Sequence, residues 1–392
     1  MEQPKLWNAD YIKIWGVNFL INFAFMLIVP LLPLYLNETF GANKQTIGLC
    51  LAGYTVMAIL IRPFSGFIVD GFPRKKVLVL FSVFFASVFF GYLFAGTLLV
   101  FTIFRTIHGL PYGAMSVSAN TVMIDVLPAE RRTEGIGYFG LSNNLATVIG
   151  PAIAIYILQW AQGNFDVLFW ISVVSAMLSV VLSAAIRLPQ RDFVPQKVLS
   201  ADRFFLLKGW PESVALLFLA IAHGIVQTYV AIYGKEELGI VTGTGLFFTL
   251  FALGLIVSRL TGAHALRRNL VSRNASMGVL VSLCGYLMFA GVHTQFGYYC
   301  SAFIIGLGNG HMWPAFQTMF INLAEHNQRG TAVSSILTSW DTGVGLGVLI
   351  GGVLAEHIGY HNAFWTAFVM EAIGIACYFA FGRGYFERNK LR

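Results

Sequence analysis

The sequence predicts an all-α integral membrane protein, with twelve transmembrane helices in two pseudo-symmetric six-helix bundles. Three observations predict it. Only 11% of the 392 residues are charged and 57% are hydrophobic, whereas a soluble domain carries about 25% charge. The apolar residues lie in long continuous runs. Such runs suit helices, which close their own backbone hydrogen bonds in lipid, and not a barrel of short alternating segments. Finally, the chain matches itself at a constant offset of 197 residues, as from Gly109 to Gly306.

A span needs about 20 mainly apolar residues. Runs of that kind occupy 11–36, 44–69, 76–95, 98–126, 134–160, 165–187, 209–235, 241–265, 271–293, 296–323, 330–355 and 361–382. The longest polar interruption, 188–208, divides six spans from six. The expected organisation is an N-terminal bundle over 1–187, a linker over 188–208 and a C-terminal bundle over 209–392. Basic residues orient such a chain. Of 25 Lys and Arg, 20 fall on one side of this scheme; Lys44 and Lys235 fall on the other, and Arg62, Arg105 and Arg259 lie inside spans. That asymmetry puts both termini and the linker in the cytoplasm, with the chain in the cell (inner, cytoplasmic) membrane.

The net charge of +7 does not argue for nucleic acid, because the bases are spread over short hinges and form no single face. Cys50, Cys284, Cys300 and Cys377 sit in apolar stretches without CxxC spacing and read as small packing residues. No Cys/His/Asp cluster has metal-ligand spacing. The first apolar run is too long for a cleavable signal peptide. No G-x-x-x-x-G-K-[ST] loop, nucleophile elbow or pair of catalytic carboxylates is present, so neither ATP nor a cofactor is expected and the chain does not read as an enzyme.

The repeat is ungapped over about 100 residues. Gly48 maps to Gly245, Arg62 to Arg259, Gly109 to Gly306, Gly113 to Gly310, Arg132 to Arg329, Ser142 to Ser339 and Gly150 to Gly347, while Asp125 maps to Asn322. Two parallel six-helix halves make a transporter with a site near the bilayer midplane. A channel more often assembles from identical subunits.

The hinge GFIVDGFPRKK at 66–76 is a dense charge cluster in an apolar chain. Its G-x-x-x-D-x-x-x-R-K pattern (Gly66, Asp70, Arg74, Lys75) resembles the loop between helices 2 and 3 of the major facilitator superfamily, and the resemblance covers essentially the whole chain. On the fourth span, Arg105, Gly109 and Gly113 are similar to the second motif of the twelve-helix drug:proton antiporters. On the fifth, Gly140 and Gly150-Pro151 resemble their antiporter motif, but the expected G-P-x-x-G-G reads Gly150-Pro151-Ala152-Ile153-Ala154-Ile155. On the eleventh, Trp340-Asp341-Thr342-Gly343-Val344-Gly345-Leu346-Gly347 resembles small-molecule efflux branches.

Each motif has a physical reading. Gly66 lets helix backbones approach closely, and Asp70 at a helix end either pairs with a base or caps a neighbouring helix. With Arg74, Asp125 and Arg132 these residues form a candidate conformational latch that favours an outward-open state. The plainer readings are a topology anchor for the bases of this hinge and a solvated loop for the DVLPAERR hinge. The second copy has Arg267 where the first has Asp70, so the latch is one-sided.

Arg105 is a charge inside a span, at a cost of about 2.5 kcal/mol or more, and the resemblance implies a role at the cavity or in proton transfer. Asp341 is the sharpest acid, since a desolvated carboxylate titrates nearer neutral pH; the plainer reading is a neutral Asp hydrogen-bonding two helices. Glu371 ranks second, on a span that the resemblance makes peripheral. His223 joins them because histidine titrates near physiological pH, although a lone membrane histidine is usually a packing residue, as expected for His108 and His311.

Cavity candidates are the amides Asn18, Asn22, Asn120, Asn143, Asn144, Gln227 and Gln317 and the aromatics Phe25, Tyr54, Tyr229, Trp313 and Trp340. Such walls suit an amphipathic or weakly charged organic molecule better than a nucleotide or phosphate. The expected function is proton-coupled export of small amphipathic organic compounds by alternating access. The partners are a small-molecule substrate, protons and the lipid bilayer, and the chain is expected to be a monomer. The alternatives are a proton symporter importing a sugar, carboxylate or other nutrient and, from another class, a non-transporting membrane scaffold or enzyme.

Overall fold

The structure is a computed structural model describing residues 5–42, 44–188, 201–240, 244–267 and 270–391. Most of the expected linker, 189–200, lies outside the described residues, as do the side chains of Lys44, Ala152, Arg259 and Arg267 and the surroundings of Gly48. Twelve helices follow one another: α1 (Ala9–Phe40, with a tight turn at Val29–Leu31), α2 (Lys44–Gly71), α3 (Arg74–Leu93), α4 (Leu98–Val126), α5 (Arg132–Trp160), α6 (Phe165–Ala185), α7 (Trp210–Glu236), α8 (Thr244–Arg267), α9 (Val271–Gly291), α10 (Gln295–Leu323), and then α11 and α12 within Arg329–Cys377. The last two are separated by Gly359, whose φ of 83° is left-handed, a conformation glycine adopts without a Cβ penalty. A π-helical turn, Tyr378–Gly382, and a short helix, Arg383–Asn389, end the chain. The architecture is all-α and twelve-helical.

Among the described residues, eight stretches, one of them holding both α11 and α12, are long and apolar enough to cross a membrane. The other three helices, α4, α8 and α10, are also of spanning length. The 29 residues of α4 reach about 43 Å at 1.5 Å per residue. Large apolar side chains such as Leu80, Phe94, Trp160 and Phe296 stand exposed, as lipid-facing surface requires and a water-facing surface does not.

Packing groups the chain into two units. The first comprises 1–128, 139–205 and 327–334; the second comprises 129–138, 206–326 and 335–392. In the first, α4 lies against α2 and α3, and α1 against α6; in the second, α10 lies against α8 and α9.

The 197-residue register governs this packing. Thr97 caps α4 by accepting from the Val100 amide, and Thr294 caps α10 by accepting from the Gly297 amide. A Cβ on Gly109 would stand 2.1 Å from the Tyr54 carbonyl; one on Gly306 would stand 2.0 Å from the Phe251 carbonyl. Gly113 fits against Ala58 and Ile61, and Gly310 against Leu255 and Ser258. Every partner is displaced by the same 197 positions as the residue it contacts. A buried ring pair repeats as well: Tyr92 with Phe101 at 4.9 Å, and Phe289 with Tyr298 at 6.0 Å. Close approach through glycine is how membrane helices associate when lipid is as apolar as leucine.

Candidate functional site

Three clusters gather the chemistry-bearing residues. The first, in the first unit, is built on the end of α2. Asp70 is buried, and its Oδ1 accepts from the Gly330 amide at 2.9 Å and its Oδ2 from the Thr331 amide at 2.8 Å. The Thr331 hydroxyl lies 3.0 Å from Oδ2 and 3.0 Å from the Arg203 carbonyl. These amides open α11, where a helix leaves its first N–H groups without internal partners. The carboxylate therefore caps the helix with a full negative charge at the positive end of its dipole.

Arg74 completes the set, with Nη2 2.9 Å from Asp70 and Nη1 2.5 Å from Asp125. Asp125 also accepts from Arg329 at 2.8 Å. The order Asp70–Arg74–Asp125–Arg329 thus alternates in sign through three buried side chains and the partly buried Asp125.

Gly66 makes this approach possible. A Cβ there would sit 2.7 Å from the Ser334 Cβ and 2.9 Å from the Thr331 Cα, and one on Gly330 would sit 2.9 Å from the Gly66 carbonyl. The Ser334 hydroxyl donates to the Arg62 carbonyl. Lys76 stands exposed beside the buried Arg74. Arg132 begins α5 in the other unit, and its neighbour Arg131 pairs with Glu134 at 2.9 Å.

The second cluster lies among α1, α2, α4 and α5 of the first unit. Phe25, Tyr54 and Tyr112 form a triangle of rings, with Phe25 4.9 Å from Tyr54 and 5.1 Å from Tyr112 and the two tyrosines 5.6 Å apart. The Arg105 guanidinium lies 4.2 Å from the Tyr54 ring centre and 5.2 Å from that of Phe25, within cation–π range. Arg105 is 3% exposed. Its Nε and Nη1 have no hydrogen-bond partner, and neither does the buried Tyr54 hydroxyl. Asn18 donates to the Ser142 hydroxyl at 2.7 Å; Asn22 donates to the Asn18 carbonyl at 2.8 Å and accepts from Tyr112 at 3.3 Å. His108 is held by Tyr92 at 2.8 Å and enclosed by Phe85 and Phe89.

The third cluster belongs to the second unit. His223 on α7 packs 5.1 Å from Trp340, which meets Trp313 edge-on at 5.1 Å, and its Nδ1 lies 3.4 Å from Asn309. Asp341 follows Trp340 on α11 and is partly exposed. Beyond it, Gly343 and Gly347 bring α11 onto α7: their Cβ atoms would stand 2.5 Å from the Leu217 carbonyl and 2.3 Å from that of Ile221, whereas Gly345 faces open space. Gln227 is partly exposed one turn beyond His223 and Gln317 is buried on α10. His311 is a packing histidine, bonded to Asn274 at 3.0 Å and to Thr261 at 3.2 Å.

Other expected residues lie apart from these groups. Asn120 donates to the Ser116 carbonyl of its own helix at 2.8 Å. Asn143 is exposed and Asn144 half-buried on α5. The Tyr229 hydroxyl donates to the Val348 carbonyl at 2.8 Å and so ties α7 to α11. Glu371 is buried on α12, and its Oε1 has no hydrogen-bond partner.

Sequence reasoning did not single out Thr331, Tyr112, Asn309 or Glu212, a fully buried acid on α7 with neither oxygen bonded. Arg329 had a legible signal, because it is the repeat mate of Arg132. The groups of three or more His, Cys, Asp and Glu that a metal needs are absent among the described residues.

Comparison with known proteins agrees with this architecture. The chain is 24% identical over 368 residues to the staphylopine export protein of Staphylococcus aureus (strain Mu50 / ATCC 700699), covering 89% of this chain and 90% of the relative. It is 23% identical over 365 residues to the quinolone resistance protein NorA of Staphylococcus aureus (strain MRSA252), with the same coverage. Among solved structures, the human organic anion transporter MFSD10 superposes with a TM-score of 0.79 at 15% identity, over 96% of this chain and 100% of that one. FucP, a Major Facilitator Superfamily transporter solved in its outward conformation, gives 0.79 at 15%, over 95% and 98%. At such identities the structures speak for the fold alone. A family model described as Major Facilitator Superfamily matches residues 14–341 and again 275–390. Twelve helices, a packing register repeated at 197 residues and that match place the chain in the Major Facilitator Superfamily, as a multi-pass membrane transporter of small molecules and not an enzyme.

Proposed function

We propose that the protein is a proton-coupled exporter of small amphipathic organic compounds, working by alternating access as a monomer in the cytoplasmic membrane with both termini inside. One observation carries this reading: a staphylopine export protein matches over 90% of its own length. In this scheme the bundles 1–187 and 209–392 carry out the alternating access. Asp341 takes up and releases the proton, with Glu371 and His223 as further carriers. Arg105 acts through its fixed charge, because a guanidinium does not release its proton in proteins. The Asp70–Arg74–Asp125 network with Arg329 is the latch of one end state: it joins the end of α2 to the start of α11, so its hydrogen bonds hold only while those elements stay together.

The test is proton movement in proteoliposomes carrying an internal pH dye, with amphipathic drugs, sugars and carboxylates as substrates. Export by antiport moves protons opposite to the compound, and Asp341→Asn abolishes the movement. Co-movement of proton and compound would replace this reading by symport. The absence of proton flux for every compound would remove the coupling altogether.

A further inference from the structure

In the first unit the start of α3 meets the end of α4 through an ion pair, Arg74 with Asp125. The 197-residue register puts Val271 and Asn322 at the matching points of α9 and α10. Neither can form that pair. In its place the second unit holds a cavity of about 310 Å³, lined by Ser272, Arg273, Asn322, Arg383, Glu387 and Lys390 among others. The short terminal helix Arg383–Asn389 forms one wall. It is fixed there by the Leu391 amide, which donates to the Asn322 carbonyl at 2.8 Å, and by Phe386, which is buried.

Three bases and one acid line this cavity, for a net charge of +2. The acid is already matched: Glu387 Oε1 accepts from the Ser272 hydroxyl, and Oε2 lies 2.6 Å from Lys390. Arg383 feels the Glu387 charge without pairing with it. Among the described residues neither Arg273 nor Arg383 makes an ion pair, and both are exposed. Asn322, 5% exposed, offers a neutral amide where the first copy has a carboxylate that would repel an anion. The cavity also lies at a telling depth. Trp210, exposed at the start of α7, stacks at 5.6 Å on Phe381, two residues before Arg383. Exposed tryptophan at a helix end marks the headgroup level of a bilayer, and basic pockets between membrane helices at that level hold anionic headgroups.

We propose that this cavity binds a phosphate-bearing anion, supplied by the headgroup of an anionic phospholipid, with Arg273 and Arg383 as its cationic walls and Asn322 as a neutral donor. A phosphodiester brings one negative charge and two free acceptor oxygens, which guanidinium groups engage in charge-assisted hydrogen bonds. Free phosphate from solution would offer the same chemistry without the apolar tail. The first unit closes this junction with its own carboxylate, Asp125, whereas the second takes its anion from outside the chain. Neither the proton coupling nor the substrate proposed above enters into this site.

Purified full-length protein in a non-ionic detergent is titrated by calorimetry with dihexanoyl phosphatidylglycerol, dihexanoyl phosphatidylcholine and inorganic phosphate. Phosphatidylglycerol is expected to bind about tenfold or more tightly than phosphatidylcholine, whose choline cancels the phosphate charge. Arg273→Gln and Arg383→Gln should each weaken its binding about fivefold. Asn322→Asp restores the acid of the first copy and should remove most of the binding. Lys76→Gln, at the register mate of Arg273, should leave it unchanged. Lys76, Arg273 and Arg383 are exposed, so their variants keep the fold, and they decide the matter should Asn322→Asp not fold. Inorganic phosphate binding about tenfold or more weakly than phosphatidylglycerol supports the lipid source; phosphate binding as tightly, with the same sensitivity to both arginines, overturns the lipid source in favour of soluble phosphate. Equal affinity for the two lipids, no binding of any of the three probes, or a preference for phosphatidylglycerol that survives the combined Arg273→Gln and Arg383→Gln variant overturns the proposal as a whole.

Discussion

Asp70→Asn is the sharpest probe of the charged network, because it removes one charge and leaves the shape nearly intact. The wild-type carboxylate accepts from two amides and a hydroxyl and pairs with Arg74, all within 3.0 Å. Asparagine keeps one acceptor oxygen, but its amide nitrogen must then face another donor. Removing one partner of a buried pair costs about 3–5 kcal/mol. Arg74 retains Asp125 at 2.5 Å, which sets the expectation at the lower end, about 3 kcal/mol. For a unit of this size that is a fall in Tm of roughly 6–12 °C. The assay is thermal unfolding of purified protein in one detergent. The control is Asp10→Asn, whose pair with Lys13 is far more exposed, at 28% and 25% side-chain accessibility, and which should cost less than about 1 kcal/mol. An Asp70→Asn protein melting with the wild type, or no lower than Asp10→Asn, would refute the reasoning, since the cap and the ion pair would then contribute nothing net.

The repeat supplies two further predictions. Gly109→Ala and Gly306→Ala should each sharply lower the yield of folded protein on size-exclusion chromatography, because the new Cβ meets backbone at 2.1 and 2.0 Å; Gly96→Ala, with no atom within 4 Å, should be neutral. Thr97→Ala and Thr294→Ala should each cost about 1 kcal/mol as lost caps, seen as matching falls in Tm of roughly 2–4 °C; clearly unequal shifts would deny the two caps their equivalence.

Much of the fold was legible because lipid imposes a single solution on every span. Continuous apolar runs marked all twelve helices, with ends displaced by a few residues, as at 11–36 against Ala9–Phe40. The glycine register was legible because a close backbone approach admits one residue type. Asp70 and Arg74 stood out as charges in an apolar chain. Their contacts were less visible. Gly330 and Thr331 meet Asp70 through backbone amides, which every residue but proline possesses. Asp125 meets Arg329 across 204 residues, while adjacency in sequence drew attention to Arg131 and Arg132. Tyr112 is the lone tyrosine of its span, and only the fold shows that it stacks on Phe25 and bonds Asn22.

The constant offset also bears on how such a chain tolerates change. Some packing solutions are written twice, as at Gly109 and Gly306 or Thr97 and Thr294, so at those positions the two halves form a natural replicate: a substitution in one has a matched site in the other at the corresponding place in the fold. Positions that agree across the replicate report what a six-helix bundle requires to exist. Positions that disagree are where one copy was released to acquire chemistry while its twin kept the shape. Arg105 opposite Ala302, and Asp70 opposite Arg267, are of the second kind. Exchanging residues between register mates therefore offers a way to move chemistry within this protein without designing new packing.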